Sequence, residues 1–277
     1  NRINFLKLLR AGHSDYLLNM DAITYMQSEK LPKYVLKPII DNLSAIFAND
    51  RQWHQFLTEH GIVKDRHIQI ATEGALIGSI VEHGICEHLV IVSDDAGQFN
   101  VLLHALCWIH ANRSIDKIIP FTGQAEKDLD AVKDQVWHLY EGLKAYKQNP
   151  RPKDKKRLNA MFDDIFTQTT SSAVLNLALK RIYNNKSELL LVLERPDIPL
   201  HNNGAENAIR EYVKKRKISG STRSESGRRC RDTFTSLKKT CRKLGVSFWQ
   251  YLNDRIEETN FIPDLSDIIR QHVLNLG

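Results

Sequence analysis

A polar stretch in the last third of the chain has the residue types and spacing that phosphate chemistry requires. It reads LHNNGAENAIREYVKKRK and follows two prolines, so a new helix is predicted to begin within it. At about 100° per residue, Glu206, Arg210 and Lys217 share one face of that helix. A carboxylate at a helix start, followed by cations on the same face, suits a metal ion beside a phosphate backbone.

The same residues also fit a purely structural interpretation. Asn203 is a good N-cap, and Glu206 stands three residues later, as in a capping box in which the glutamate only satisfies a backbone amide. The cations would then form an ordinary solvated helix face. Spacing alone leaves both interpretations open.

A second acidic position follows an apolar run. Leu89 to Ser93 reads LVIVS, which is typical of a strand buried on both faces, and it ends directly in Asp94 and Asp95. A helix is predicted before it, over residues 72–82, ended by Gly84. Acids at the carboxyl end of a buried strand are a common plan for an α/β active site.

These stretches together resemble the C-terminal part of the insertion sequence 66 family of transposases. The resemblance rests on LHNNGAENAIR, the following RK pair, SLKKTCRKLGVSFWQYLNDRI, CWIHANR and LVIVSDDAGQF, which occur in the family's order over roughly half the chain. It implies an α/β, predominantly helical protein with a ribonuclease H-like core and an all-α insertion. It also implies three carboxylates, Asp, Asp and Glu, that hold two divalent metal ions, Mg²⁺ or Mn²⁺.

Carried over by position, the second aspartate of the family falls on Asp94 and the glutamate on Glu206. Asp95 is adjacent and is expected to point to the other face. A rival for the second aspartate is Asp21 in DYLLNMDAITYM, but Asp94 follows the stronger strand and lies closer to CWIHANR. Asp94 and Glu206 are 112 residues apart in sequence and are expected to approach within about 8 Å of each other.

This chain departs from the family pattern in two places. No three-strand meander carrying the first aspartate is recognisable before Asp94, and the chain opens without Met, so we expect a C-terminal portion that lacks the N-terminal strands. The family's R-K-N-W-L-F-x-G-S is altered here to RKISGSTR. Contacts made by that aromatic pair are therefore not expected.

The implied function is metal-dependent DNA strand cleavage and strand transfer at insertion-sequence ends. The partners would be DNA of the element ends and of the target, with a homo-oligomer and accessory element-encoded proteins as further partners, in the bacterial cytoplasm near the nucleoid. Cations expected to contact DNA phosphates are Arg210, Lys214, Lys215, Arg216, Lys217, Arg223, Arg228 and Arg229. The alternatives are a non-catalytic DNA-binding remnant of a decayed transposase and a purely structural helical protein.

Composition supports a globular, nucleic-acid-facing protein. Of 277 residues, 42% are apolar, and no apolar run approaches the ~18 residues of a membrane helix. The net charge is +6, but residues 210–243 alone carry +10, an electrostatic footprint for nucleic acid. Dense basic blocks also occur as plain solvated faces.

The four cysteines are far apart, and although Cys107 and His110 have a C-x-x-H spacing, reduced structural thiols are the default.

The order of patterns predicts three parts: a partial core over 1–120, a helical insertion over 121–195, and C-terminal core helices over 196–277. Helices are expected at residues 2–10, 21–27, 37–47, 51–60 and 99–112, with a short strand near 15–19. In the insertion, apolar spacing predicts helices at 124–146, 155–166 and 174–193, without a strand. Beyond Glu206 a basic loop is expected at 219–229, then helices at 233–243 and 248–257 and a last helix or tail.

Overall fold

The computed structural model describes residues 1–10, 12–83, 89–220 and 222–274, with side chains up to residue 271. The predicted helix end at Gly84, and Cys86, lie outside the described residues. The chain divides into two compact units, Asn1–Asn202 and Asn203–Gly277. Helices dominate both units, which confirms the predominantly helical class, and strands occur in the first unit only among the described residues.

Most helices of the first unit overlap those predicted from apolar spacing, although their bounds differ. Several begin at a side chain that caps the first turn, as Asn19, Asn49, Thr122 and Ser172 do. The helices are α1 (Arg2–Leu9), α2 (Met20–Ser28), α3 (Lys33–Asp41), α4 (Asp50–Glu59), α5 (Asp65–Glu82), α6 (Trp108–Asp116), α7 (Gly123–Gln148), α8 (Pro152–Thr167), α9 (Ala173–Asn184) and α10 (Lys186–Leu189).

Two small sheets complete the first unit. Strands β1 (Tyr16–Leu17) and β2 (Ile46–Phe47) pair antiparallel. Strands β3 (Val90–Ser93) and β4 (Leu103–Leu106) pair parallel, with Ser93 opposite Leu106. Their carboxyl ends therefore lie side by side, at the position of the predicted acids.

Helix α5 is the centre of the first hydrophobic core. Its residues 70–80 are all buried, and it packs against α1, α2 and β1. Two glycines allow this approach: a Cβ on Gly74 would lie 2.7 Å from the side chain of Met26, and one on Gly78 would collide with the carbonyl oxygen of Leu17 and lie 2.8 Å from Asn19 Oδ1. The backbone of α5 thus lies directly against α2 and against the residues that precede it.

A second hydrophobic core is built by the helices of residues 124–193. Leu129, Val136, Leu139 and Leu143 of α7 are buried against the apolar faces of α8 and α9. This segment contains helices and one 3₁₀ turn and no strand, as the sequence predicts. Trp108 of α6 joins the same core, where its indole N–H donates to the carbonyl of Leu189 at 2.9 Å.

The second unit consists of helices around a small core. They are α11 (Asn203–Ser219), α12 (Glu225–Lys243), α13 (Phe248–Ile256) and α14 (Leu265–Leu274). Cys241, Tyr251 and Leu265 are the buried residues of that core, and α11 contributes none. Gly245, with φ of +71°, makes the predicted break between α12 and α13.

Several predicted boundaries were wrong. Residues 99–112 are not one helix, because β4 precedes α6, and a continuous apolar run fits a strand as well as a helix. Residues 37–47 end α3 and enter β2, and 174–193 divide into α9, α10 and a 3₁₀ turn. Arg228 and Arg229 lie on α12 instead of in a loop, because Ser224 caps that helix early. Strand β3 is half-buried except at Ser93, since its sheet has two strands.

The α5 approach gives a direct test of the fold. We expect Gly78→Ala to destabilise the protein by about 1–3 kcal/mol, because the new methyl group meets backbone and cannot be accommodated by a rotamer change. Urea denaturation followed by far-UV circular dichroism measures the effect. Gly123→Ala is the matched control, since no atom lies within 4 Å of its Cβ position, and it should change stability by no more than about 0.5 kcal/mol. Equal urea midpoints for the two variants would contradict the packing argument.

Candidate active site and nucleic-acid interface

The carboxyl ends of β3 and β4 form one edge from which the candidate acids extend. The backbone N–H of Cys107 donates to the carbonyl of Ser93 at 2.8 Å, which continues the strand pairing one residue further. The buried Ser93 hydroxyl and His104 Nε2 lie 2.8 Å apart and bind the strands across the sheet. Burial lowers the pKa of His104, which favours the neutral imidazole in this contact.

The two adjacent aspartates after β3 have different surroundings. Asp95 forms an ion pair with Arg181 of α9, with 2.5 Å between Oδ2 and the guanidinium nitrogen. Asp94 is exposed, and within the described ranges no hydrogen bond or ion pair engages its carboxylate. A metal ion would have to displace Arg181 to reach Asp95, whereas the oxygens of Asp94 are accessible.

A cleft of about 270 Å³ opens beside this edge. It is lined by Asp95, Cys107, His110, Arg113 and Arg181 among others, so it brings together the CWIHANR stretch and the acid after β3. Arg113 donates to His110 Nε2 at 2.9 Å. The Cys107 side chain is buried, so this cysteine contributes mainly to packing.

The tryptophan of CWIHANR connects this edge to the residues before α11. The backbone N–H of Trp108 donates to the carbonyl of Leu200 at 2.9 Å, and both side chains are buried in the second core. Leu200 begins the LHNNGAEN stretch, which becomes α11 three residues later. Two motifs that are distant in sequence are therefore tied by a backbone hydrogen bond.

Asp21 lies in the first turn of α2, where a carboxylate is favoured by the partial positive charge of the helix N-terminus. The cap of that helix is Asn19, whose side chain accepts from the Ala22 N–H at 3.0 Å. A helix-start role thus accounts for Asp21 without a metal.

In the second unit, Glu206 lies in the first turn of α11 and is half-buried. The helix begins at Asn203, which agrees with the predicted cap position to within one residue. Further along α11, Glu211 holds α12 through Lys238 at 2.7 Å and Lys239 at 3.1 Å, with Lys215 at 3.9 Å. The side-chain hydrogen bonds from Lys238 and Lys239 lower the pKa of Glu211 to about 2.

The predicted DNA-binding cations fall into two groups. Three of them have acidic neighbours: Lys215 approaches Glu211, while Arg228 and Arg229 lie 2.6 and 3.7 Å from Glu225. The others are exposed and, in the part of the chain that the structure describes, form no ion pair: Arg210, Lys214, Arg216, Lys217 and Arg223. The second group is the free basic surface of this unit.

The sequence did not predict two ion pairs that hold acids and cations together, Arg181 with Asp95 and Glu211 with Lys238. Arg181 is 86 residues from Asp95, and nothing in the spacing of either residue pointed to the other. Glu211 and Lys238 are 27 residues apart on different helices. We call the ion pairs of Glu211 with Lys238 and Lys239 the clamp. Its only signal in the sequence was an acid within a dense basic block.

Comparison with known proteins identifies the family. The family model described as "Transposase IS66 family" matches residues 76–229. This chain belongs to the IS66 transposase family. "Uncharacterized protein y4jO" of Sinorhizobium fredii (strain NBRC 101917 / NGR234) is similar to it, with 43% identity over 258 residues that cover 92% of this chain and 80% of that protein. No solved structure matches this chain.

The region matched by the IS66 transposase family includes Asp94, CWIHANR, Glu206 and the free basic surface. It begins inside α5 and ends inside α12, so it draws on both units. No helix in the described ranges is long and apolar enough to cross a membrane.

The clamp at Glu211 predicts a pH dependence. Because its pKa is lowered, the clamp should be intact above the ordinary glutamate range and be lost as pH falls through about 2. Carbon-13 NMR of the glutamate carboxyl should place its titration midpoint near 2. The double variant Lys238→Met and Lys239→Met should move the midpoint up toward the ordinary value.

The matched control removes two cations of the same helix that do not contact Glu211, by Arg242→Met and Lys243→Met. This control should leave the midpoint nearly unchanged. A similar rise in both double variants would show that overall charge, and not the clamp, lowers the pKa.

Proposed function

We propose that this chain is part of an Asp-Asp-Glu type DNA transposase. It would cleave DNA at the ends of an insertion sequence in a metal-dependent reaction and join the freed 3′-hydroxyl to target DNA. The observation that carries the proposal is the Asp94 carboxylate at the end of a parallel strand pair, inside the region that matches the family and without an ion pair to any described residue.

Asp94 and Glu206 are the residues proposed to hold the divalent metal. Carboxylate oxygens are the ligands that Mg²⁺ and Mn²⁺ prefer, and Asp94 offers them at an exposed position. Asp95 does not fit this role, because Arg181 already neutralises it. When bound, divalent metal stabilises the attacking and leaving oxygens in phosphoryl transfer.

The chain runs from one of these acids to the other through the second core. Asp94 follows β3, which pairs with β4, and β4 leads into Trp108. Trp108 in turn binds the carbonyl of Leu200, and Glu206 follows six residues later. The 112-residue separation of the acids is largely taken up by the helices of the second core.

The free basic surface is proposed to hold DNA phosphates near Glu206. Its five cations are exposed, four of them lie on α11, and no ion pair in the described ranges competes for them. Lys215, Arg228 and Arg229 would extend this track if DNA phosphates compete with Glu211 and Glu225 for them. Phosphate contacts of this kind position DNA without reading its sequence.

The proposed organisation of the family enzyme has three parts. Residues 1–120 would form a partial ribonuclease H-like core, 121–195 a helical insertion, and 196–277 the C-terminal helices with the glutamate and the basic segment. Element ends and target DNA are the partners of this arrangement.

The shared metal site can be tested with a double-mutant cycle. Asp94→Asn and Glu206→Gln should each weaken Mn²⁺ binding at least tenfold, measured by electron paramagnetic resonance of free Mn²⁺. If both acids hold the same ions, the double variant should bind little worse than either single variant, because the effects of coupled ligands are not additive.

Asp95→Asn is the matched control for that cycle. It removes the same charge at the next residue, and it should leave Mn²⁺ affinity within about twofold of the wild type. Additive effects of Asp94→Asn and Glu206→Gln, or loss in the Asp95 variant alone, would refute the assignment.

Binding of DNA should fall steeply with salt if the basic surface is a phosphate track. With 6–10 contacts, affinity should drop roughly 10³–10⁵-fold between 50 and 200 mM salt, because each neutralised phosphate releases counterions. Arg216→Ala with Lys217→Ala should weaken binding similarly for unrelated DNA sequences and reduce the salt slope by about two contacts.

Lys153→Ala with Lys156→Ala is the control for that pair, since it removes two exposed cations from α8, outside the basic block. It should leave the salt slope unchanged. DNA binding of wild-type strength without any Mn²⁺ binding at Asp94 and Glu206 would instead favour the non-catalytic remnant.

A further inference from the structure

Two histidines and an aspartate converge in the first unit, at residues with no part in the proposed reaction. We propose that His13, Asp15 and His83 form a binding site for a divalent transition metal, with Zn²⁺ as the first candidate. One ligand atom from each residue lies within 4.8 Å of the other two. No other group of three such side chains meets this condition in the described ranges.

The contacts within the cluster already bring the donors together. His83 Nε2 lies 2.8 Å from Asp15 Oδ2, and the rings of His13 and His83 stack with centroids 3.6 Å apart and planes 9° from parallel. Each ring therefore has a nitrogen close to the Asp15 carboxylate. Neutral imidazole is the form that binds metals.

The fold holds two of the ligands on rigid supports. His83 directly follows α5, and Asp15 directly precedes β1, so the α5–β1 approach at Gly78 determines their separation. The fully buried Ser79 donates to Asp15 Oδ1 at 3.2 Å, and Arg10 donates to the Asp15 carbonyl at 2.7 Å. Partners of this kind orient a ligating carboxylate and are typical of metal sites.

The ligand types select the metal. Two imidazole nitrogens and one carboxylate suit Zn²⁺, Co²⁺ or Ni²⁺, whereas Mg²⁺ prefers oxygen ligands alone. Three protein ligands leave a fourth position for water.

Binding requires one local rearrangement. The lone pairs of stacked rings do not converge, so the His13 ring must turn toward Asp15 and His83, and the metal must separate the His83–Asp15 pair slightly. His13 is exposed, so its side chain can turn without displacing the core. The bound ion would then tie the segment between α1 and β1 to the end of α5.

Competition with a chromophoric zinc chelator tests the site in the full chain. All proteins carry Cys230→Ser, which removes an exposed thiol that would also bind zinc. We expect one Zn²⁺ per chain, at least tenfold weaker affinity in His13→Ala, His83→Ala and Asp15→Asn, and a rise in Tm with Zn²⁺ that these variants lose. His54→Ala, at an exposed histidine of α4, is the matched control and should bind like the parent.

Three outcomes decide the proposal. Unchanged zinc affinity in His13→Ala overturns it even if the His83 variant fails to fold, because His13 is exposed and its loss should not disturb the core. Loss of zinc in Asp94→Asn with Glu206→Gln, and not in the histidine variants, also overturns it, since the ion would then sit at the carboxylates. The stoichiometry is the third test. Binding of less than one Zn²⁺ per parent chain, at a free Zn²⁺ concentration ten times the dissociation constant of His54→Ala, overturns the proposal as well.

Discussion

The close approach of α5 to the residues around β1 is the contact on which the first unit depends. Gly74 and Gly78 let the helix backbone lie against Met26 and Leu17, and a side chain at either position would push α5 away. Because residues 70–80 are buried on all sides, such a shift would move the whole first core. Strand β3 follows α5 in the chain, so the placement of Asp94 also depends on this helix.

The carboxylates of this basic chain are distinguished by their partners more than by their positions. Asp95, after β3, is bound by a cation of α9, and Glu211, on α11, is bound by cations of α12, so both hold elements together. Asp94 directly precedes Asp95 in the chain, but it has no such partner in the described ranges. Neutralisation by Arg181 thus leaves one of two adjacent acids available for chemistry.

Most helices were predicted correctly from local patterns in the sequence, and long-range pairings were not. The helices of residues 124–193 were predicted because every turn repeats an apolar position that must face a core. Strand β4 was missed because its apolar residues have no helical or alternating period of their own, and its identity depends on pairing with β3. Arg181 was missed for the same reason, since only the fold brings it to Asp95.

In helix α11, electrostatic attraction serves both the packing of the helix and its proposed binding of DNA. None of its 17 residues is buried, and the ion pairs of Glu211 with Lys238 and Lys239 hold it to α12. These pairs are partly exposed, and salt screens them as it screens phosphate contacts. Rising salt should therefore loosen the helix pair and release DNA together. Arg216 and Lys217 take no part in the clamp, so the change in salt slope on removing them reports the phosphate contacts alone.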